Sequence, residues 1–99
     1  MSDYIYVAYK SYNYEGCSAP EYVGSSEEDA WRTLYDDYDF ISGDDWHVAR
    51  HRDGRFEGVK TLNIPSRWSE WTKKKPAYST CKQLIKQLTF SNPNKEPQP

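Results

Sequence analysis

In residues 4–12 large side chains alternate, with Ile5, Val7 and Tyr9 on one side and Tyr4, Tyr6, Ala8 and Lys10 on the other. A period of two is that of a strand, whose successive side chains point to opposite faces. Asn13 to Pro20 is rich in turn formers, and Glu21-Tyr22-Val23-Gly24 then reads as a short strand returning beside the first. The period changes at Ser25-Ser26-Glu27-Glu28, where serines and glutamates suit a capping box and the positive end of a helix dipole. Ala30, Trp31, Leu34, Tyr35, Tyr38 and Ile41 line one side of the helix that follows. Glu28, Asp29, Arg32, Asp36 and Asp39 line the other, so the helix is amphipathic with an acidic outer face. Ser42-Gly43-Asp44-Asp45 ends it.

Trp46 to Arg52 reads as a third strand, and Asp53-Gly54 is a hairpin signal leading into a fourth over residues 55–64. Pro65-Ser66 opens a short element holding Trp68 and Trp71, three apart on one helical face, before Lys73-Lys74-Lys75-Pro76 interrupts. From Ser79 to about Phe90, Cys81, Leu84, Ile85 and Leu88 recur at helical spacing. The pattern predicts one α+β domain over residues 1–90. Its antiparallel sheet runs in the order β-β-α-β-β-α, with two main helices packed on one face. Residues 91–99 are polar, contain three prolines and are expected to form a flexible tail.

A chain of 99 residues needs a core dense in large side chains, and 16% aromatics meet that need although only 36% of residues are hydrophobic. Disorder needs few aromatics and high net charge, which leaves only the tail a candidate. No run approaches the ~20 apolar residues of a membrane span. The start, Met1-Ser2-Asp3-Tyr4, lacks the basic and apolar stretches of a signal peptide, and Cys17 and Cys81 make no disulfide framework. A cytoplasmic protein is expected. Its net charge of −2 conceals a split: residues 1–58 carry 13 acids and 5 bases, residues 59–99 carry 2 acids and 8 bases. Either the halves pair within the fold, or one acidic and one basic surface face the solvent.

No residue set reaches catalytic or metal-binding form. On one strand His47 and His51 share a face but lie roughly 13 Å apart, too far to hold one ion. A calcium loop starting at Asp37 has Asp39 at its third position but Ile41 and Ser42 where an acid and a glycine belong. Cys81 falls on an apolar stripe, and no base accompanies Cys17. No cofactor motif is present. Tyr4, Tyr6 and Tyr12 could form a base-stacking sheet face, but the acidic charge of this half argues against direct nucleic-acid binding, and helices covering the face would make the tyrosines core. Lys73-Lys74-Lys75, with Arg67, Lys82 and Lys86, makes the C-terminal third basic, ordinarily the mark of a solvated turn.

Tyr4-Ile5-Tyr6, Tyr22-Val23-Gly24 and Arg32, eight residues after Gly24, resemble the opening hairpin and catalytic arginine of GIY-YIG nucleases. That resemblance implies nuclease activity using Tyr6, Tyr22 and Arg32, with Glu57 or Glu70 for the family's metal-binding glutamate. Tyr4 stands at the family's first glycine, and the gap from Tyr6 to Tyr22 is longer than is usual there. Tyr14-Glu15-Gly16-Cys17 and residues 22–30, from Tyr22-Val23-Gly24 through the serine-glutamate cap to Ala30, are similar to a group of small bacterial and phage proteins of uncharacterised function. The similarity spans residues 4–52 and implies a hairpin leading into an acidic helix and a phage-like setting.

The expectation that follows is a non-enzymatic protein-binding module, an inhibitor of a host nucleic-acid-handling or defence complex. Glu28, Asp29, Asp36, Asp39, Asp44 and Asp45 would meet a basic surface on the partner, spaced carboxylates imitating phosphates. The alternatives are a divergent GIY-YIG-like nuclease and a nucleic-acid binder using the tyrosine face.

Overall fold

A computed structural model describes residues 3–12, 16–17, 19–36, 45–63 and 77–92. The expected α+β architecture and element order are present. Strand β1 (Tyr4–Tyr12) pairs antiparallel with β4 (Asp45–Arg52), which pairs antiparallel with β5 (Arg55–Asn63). The return strand is divided in two. β2 (Gly16–Cys17) pairs with Ser11 and Tyr12, and β3 (Tyr22–Gly24) pairs with Tyr6, Val7 and Ala8. β2 lies inside the stretch read from sequence as turn, because two residues are too few to show a period. Helix α1 (Glu27–Asp36) follows β3, and α2 (Tyr78–Lys86) follows β5. Tyr38, Asp39, Ile41, Asp44, Trp68, Trp71 and the lysine run 73–75 lie outside the described residues.

Asp53 and Gly54 close the β4–β5 hairpin with positive φ angles of 53° and 76°. That is the two-residue turn whose twist matches its flanking strands, and Asp-Gly tolerates it better than most pairs. At the start of α1, Ser26 Oγ accepts the Asp29 amide at 3.1 Å, a serine cap with an aspartate, not the expected glutamate, three residues on. The Tyr22 phenol oxygen accepts the Ser26 amide at 3.2 Å, tying the helix start to β3. The ring reaches it by folding back over Gly24, where a Cβ would collide with the phenol. The Tyr-Val-Gly sequence therefore has a local structural role.

Both helices cover the face of the sheet that carries Tyr6, Ala8, Trp46, Val48 and Leu62. Ala30, Trp31 and Leu34 from α1 and Cys81 and Ile85 from α2 complete the core, with Tyr6, Tyr22, Tyr35, Leu84 and Leu88 packed around it. Tyr35 and Tyr78 meet edge to face at 5.3 Å, joining the two helices. The last helix ends at Lys86, capped by Gln87, short of the expected Phe90; Leu88 packs from beyond its end. Ser91, assigned from sequence to the flexible tail, instead exchanges two backbone hydrogen bonds with Val59 on the outer edge of β5, at 2.9 and 3.1 Å. Gly58 leaves room for this approach, since a Cβ there would press on Phe90 and Ser91.

Candidate functional site

On α1 the inward positions are nearly sealed, with Trp31 only 2% exposed, while Glu28, Asp29, Arg32 and Asp36 are exposed. Of the six acids expected to bind a partner, Glu28, Asp29 and Asp36 share this outer face, and Asp39 and Asp44 lie outside the described residues. Asp45 does not belong with them. It is the first residue of β4, and its Oδ1 accepts the Asn63 side-chain amide at 2.9 Å across the hairpin. The loop boundary was misplaced by one residue, and the strand register carries Asp45 away from the helix layer.

The two oppositely charged halves of the chain do pair at α1. One oxygen of Glu27 accepts both the Trp31 indole N–H at 3.1 Å and the Lys60 ammonium at 2.7 Å. Glu28 lies 3.5 Å from Lys82 of α2, but its side chain is 62% exposed, so this pair contributes little to stability. Between the helices and β5 opens a cleft of about 220 Å³, with Trp31, Tyr78 and Ile85 as apolar lining and Glu27, Glu28, Lys60, Lys82 and Lys86 around them.

The tyrosine face is the helix-covered face. Tyr6 packs against the core, and burial together with the nearby Glu27 charge pushes its phenol pKa up, partly offset by Arg50. The Tyr12 side chain lies outside the described residues. Sequence reasoning missed the group that gathers beside Tyr4 and Tyr6. The Arg50 guanidinium sits 4.6 Å from the Tyr4 ring and 4.4 Å from the Phe90 ring. Glu57 lies 3.3 Å from Arg50 Nε and 3.4 Å from Arg52 Nε, one carboxylate serving two cations. The Arg50 Nε is buried and out of line for a hydrogen bond to it. Lys60 lies 4.6 Å over the other participant, Phe90. Alternation along β4 puts Arg50 and Arg52 on one face, but only the pairing of Tyr4 with Arg52 and Tyr6 with Arg50 brings that face to the tyrosines.

The residues suggested by the nuclease resemblance are held by separate partners. Tyr22 caps α1, Tyr6 packs in the core, Arg32 stacks on Tyr78 at 4.6 Å, and Glu57 binds Arg50 and Arg52. Glu70 is outside the described residues. On the face opposite the helices, His47 bonds Ser11 Oγ at 2.8 Å through Nε2 and Thr61 Oγ1 at 2.9 Å through Nδ1, while Tyr9 stacks on its ring at 4.8 Å. Burial lowers the His47 pKa, partly countered by Asp45. His51, on the same face, packs edge-on against Phe56. Cys81 is buried, and burial raises its thiol pKa. No group of three or more His, Cys, Asp or Glu among the described residues could hold a metal ion, and no helix among them is long and apolar enough to cross a membrane. Compared with known protein families, curated proteins and solved structures, the chain matches none.

Proposed function

We propose that this domain is a non-enzymatic protein-binding module whose acidic α1 face docks on a basic surface of a nucleic-acid-handling partner. The observation that carries the reading is the exposure of Glu28, Asp29 and Asp36 on a helix whose opposite side is anchored by Trp31 and Leu34. Carboxylates on an anchored helix are held at fixed spacing, and fixed spacing lets one charged surface select another. The phage-like resemblance suits an inhibitor that occupies the groove its host partner uses for nucleic acid.

The test begins with capture of a partner from host lysate, followed by affinity measurements on the purified pair. Asp29→Lys with Asp36→Lys should fold as the parent does, bind at least about tenfold more weakly at low salt, and lose the parent's salt dependence. Equal affinity for parent and variant would overturn the reading.

A further inference from the structure

The cleft between the two helices and β5 has apolar and charged lining side by side. Trp31, Tyr78 and Ile85 supply the apolar part, and its two aromatic side chains are held by neighbours. Glu27 accepts the Trp31 indole N–H, Arg32 stacks on Tyr78, and Tyr35 meets Tyr78 edge to face. Rings fixed in advance spare a ligand the cost of ordering them. Lys60, Lys82 and Lys86 line the cleft with Glu27 and Glu28. Three ammonium groups against two carboxylates leave one positive charge. Lys60 is engaged by Glu27 at 2.7 Å and Lys82 lies 3.5 Å from Glu28. The surplus falls to Lys86, which is exposed and pairs with no acid among the described residues. Lys82 and Lys86 are four residues apart on α2, a spacing at which like charges repel and an anion between them relieves the repulsion.

We propose that this cleft binds a small aryl monocarboxylate, with its ring against Trp31, Tyr78 and Ile85 and its carboxylate between Lys82 and Lys86. Size limits the ligand to one ring with a short arm, because about 220 Å³ is below the ~300–1,000 Å³ of ordinary small-ligand sites. Charge selects a monoanion. A nucleotide or polyphosphate would bring several negative charges against Glu27 and Glu28, whereas a single carboxylate matches the single surplus ammonium. Aromatic lining suits a ring, which packs on Trp and Tyr in offset or edge contacts. The Lys82 side chain is 49% exposed, so it can turn from Glu28 to a ligand at little cost. A ligand of about a dozen non-hydrogen atoms at ordinary efficiency binds with a Kd on the order of 1 mM.

Glu28 belongs both to this cleft and to the acidic α1 face, but the inference does not rest on that face, because its test needs no protein partner. The Trp31 indole N–H gives a proton–nitrogen NMR signal inside the cleft, to be followed as 3-phenylpropionate is added at low salt. The signal should shift saturably. 3-Phenylpropionamide, with the same ring and no charge, should bind severalfold more weakly, the scale of one partly exposed ion pair. 3-Phenylpropylamine, with the opposite charge, should bind more weakly still. Lys86→Ala should weaken binding of the acid severalfold and leave the amide unchanged. Lys86→Glu turns the surplus charge from positive to negative and should reverse the preference, so that the amine binds better than the acid. Lys86 is exposed, and circular dichroism and melting confirm that both variants are folded. The tripeptide Gly-Gly-Phe, which carries the same ring and carboxylate at a chain end, should bind no better than the free acid. No saturable shift at ten times the expected Kd would overturn the proposal. So would equal affinity for acid and amide, or a Lys86→Glu variant that still prefers the acid. Tighter binding of Gly-Gly-Phe would overturn it in favour of a protein C-terminus.

Discussion

Strand β1 has two faces, and each holds a side chain whose fate is the reverse of what its chemistry suggests. The face under the helices carries Lys10, only 2% exposed, and meets Arg50 and Lys60 from neighbouring strands. The opposite face carries Ile5, 41% exposed, and adjoins Val23, 64% exposed. Polar heads on the covered face are accommodated by aromatic rings and carboxylates. Lys10 lies 5.7 Å from the Trp46 ring, Arg50 stacks on Tyr4 and Phe90, and Lys60 pairs with Glu27. A cation can sit under a helix when rings and a carboxylate replace water around it.

The sharpest way to break this contrast is to delete the same kind of mass from each face. Leu34→Ala, in the core under the sheet's covered side, should cost ~2–5 kcal/mol and lower the denaturation midpoint with little change in slope. Next comes Gly24→Ala, which forces Tyr22 off its seat over the strand and away from the Ser26 amide. Overpacking of this sort costs ~1–3 kcal/mol, read by the same denaturant titration. A Gly24→Ala protein as stable as the parent would show that the phenol clamp contributes nothing.

The third measurement uses pH. His47 is on the less buried face, yet its own pKa is depressed by burial. Its neutral form is favoured in the folded state, so its contribution is fully present above the unfolded pKa of ~6.5 and is lost as pH falls through that value toward the lowered folded pKa. Melting between pH 5 and 8 should show this loss, and His47→Gln should reduce it. The smallest effect belongs to Val23→Thr, expected within about ±0.5 kcal/mol. If it matched Leu34→Ala, the two faces would not differ in the way described.

Much of this was legible because period is a local property. Alternation identified β1 and β4, the 3.6-residue spacing placed Trp31 and Leu34 opposite Glu28 and Asp36, and Asp53-Gly54 marked the hairpin. Which face of β1 the helices would cover was not legible, since both faces alternate large side chains and the decision rests on distant partners. Nor was the cluster around Arg50: Tyr4, Arg50, Glu57 and Phe90 come from four segments and meet only through strand register and the path of the chain after α2. Helical spacing put Glu28, Asp29 and Asp36 on the exposed side of α1, where they lie, while Asp45, where a run of acids and a strand start coincide, is the first residue of β4.

The two hydrogen bonds between Ser91 and Val59 bear on colloidal behaviour. An outermost strand with bare amides and carbonyls invites a second molecule to continue the sheet. By occupying both backbone groups of Val59, the segment after α2 acts as a built-in stopper at that point of the edge. A chain ending at Thr89 should retain the core residues and the hairpin but self-associate at concentrations where the parent stays monodisperse, a difference light scattering would register.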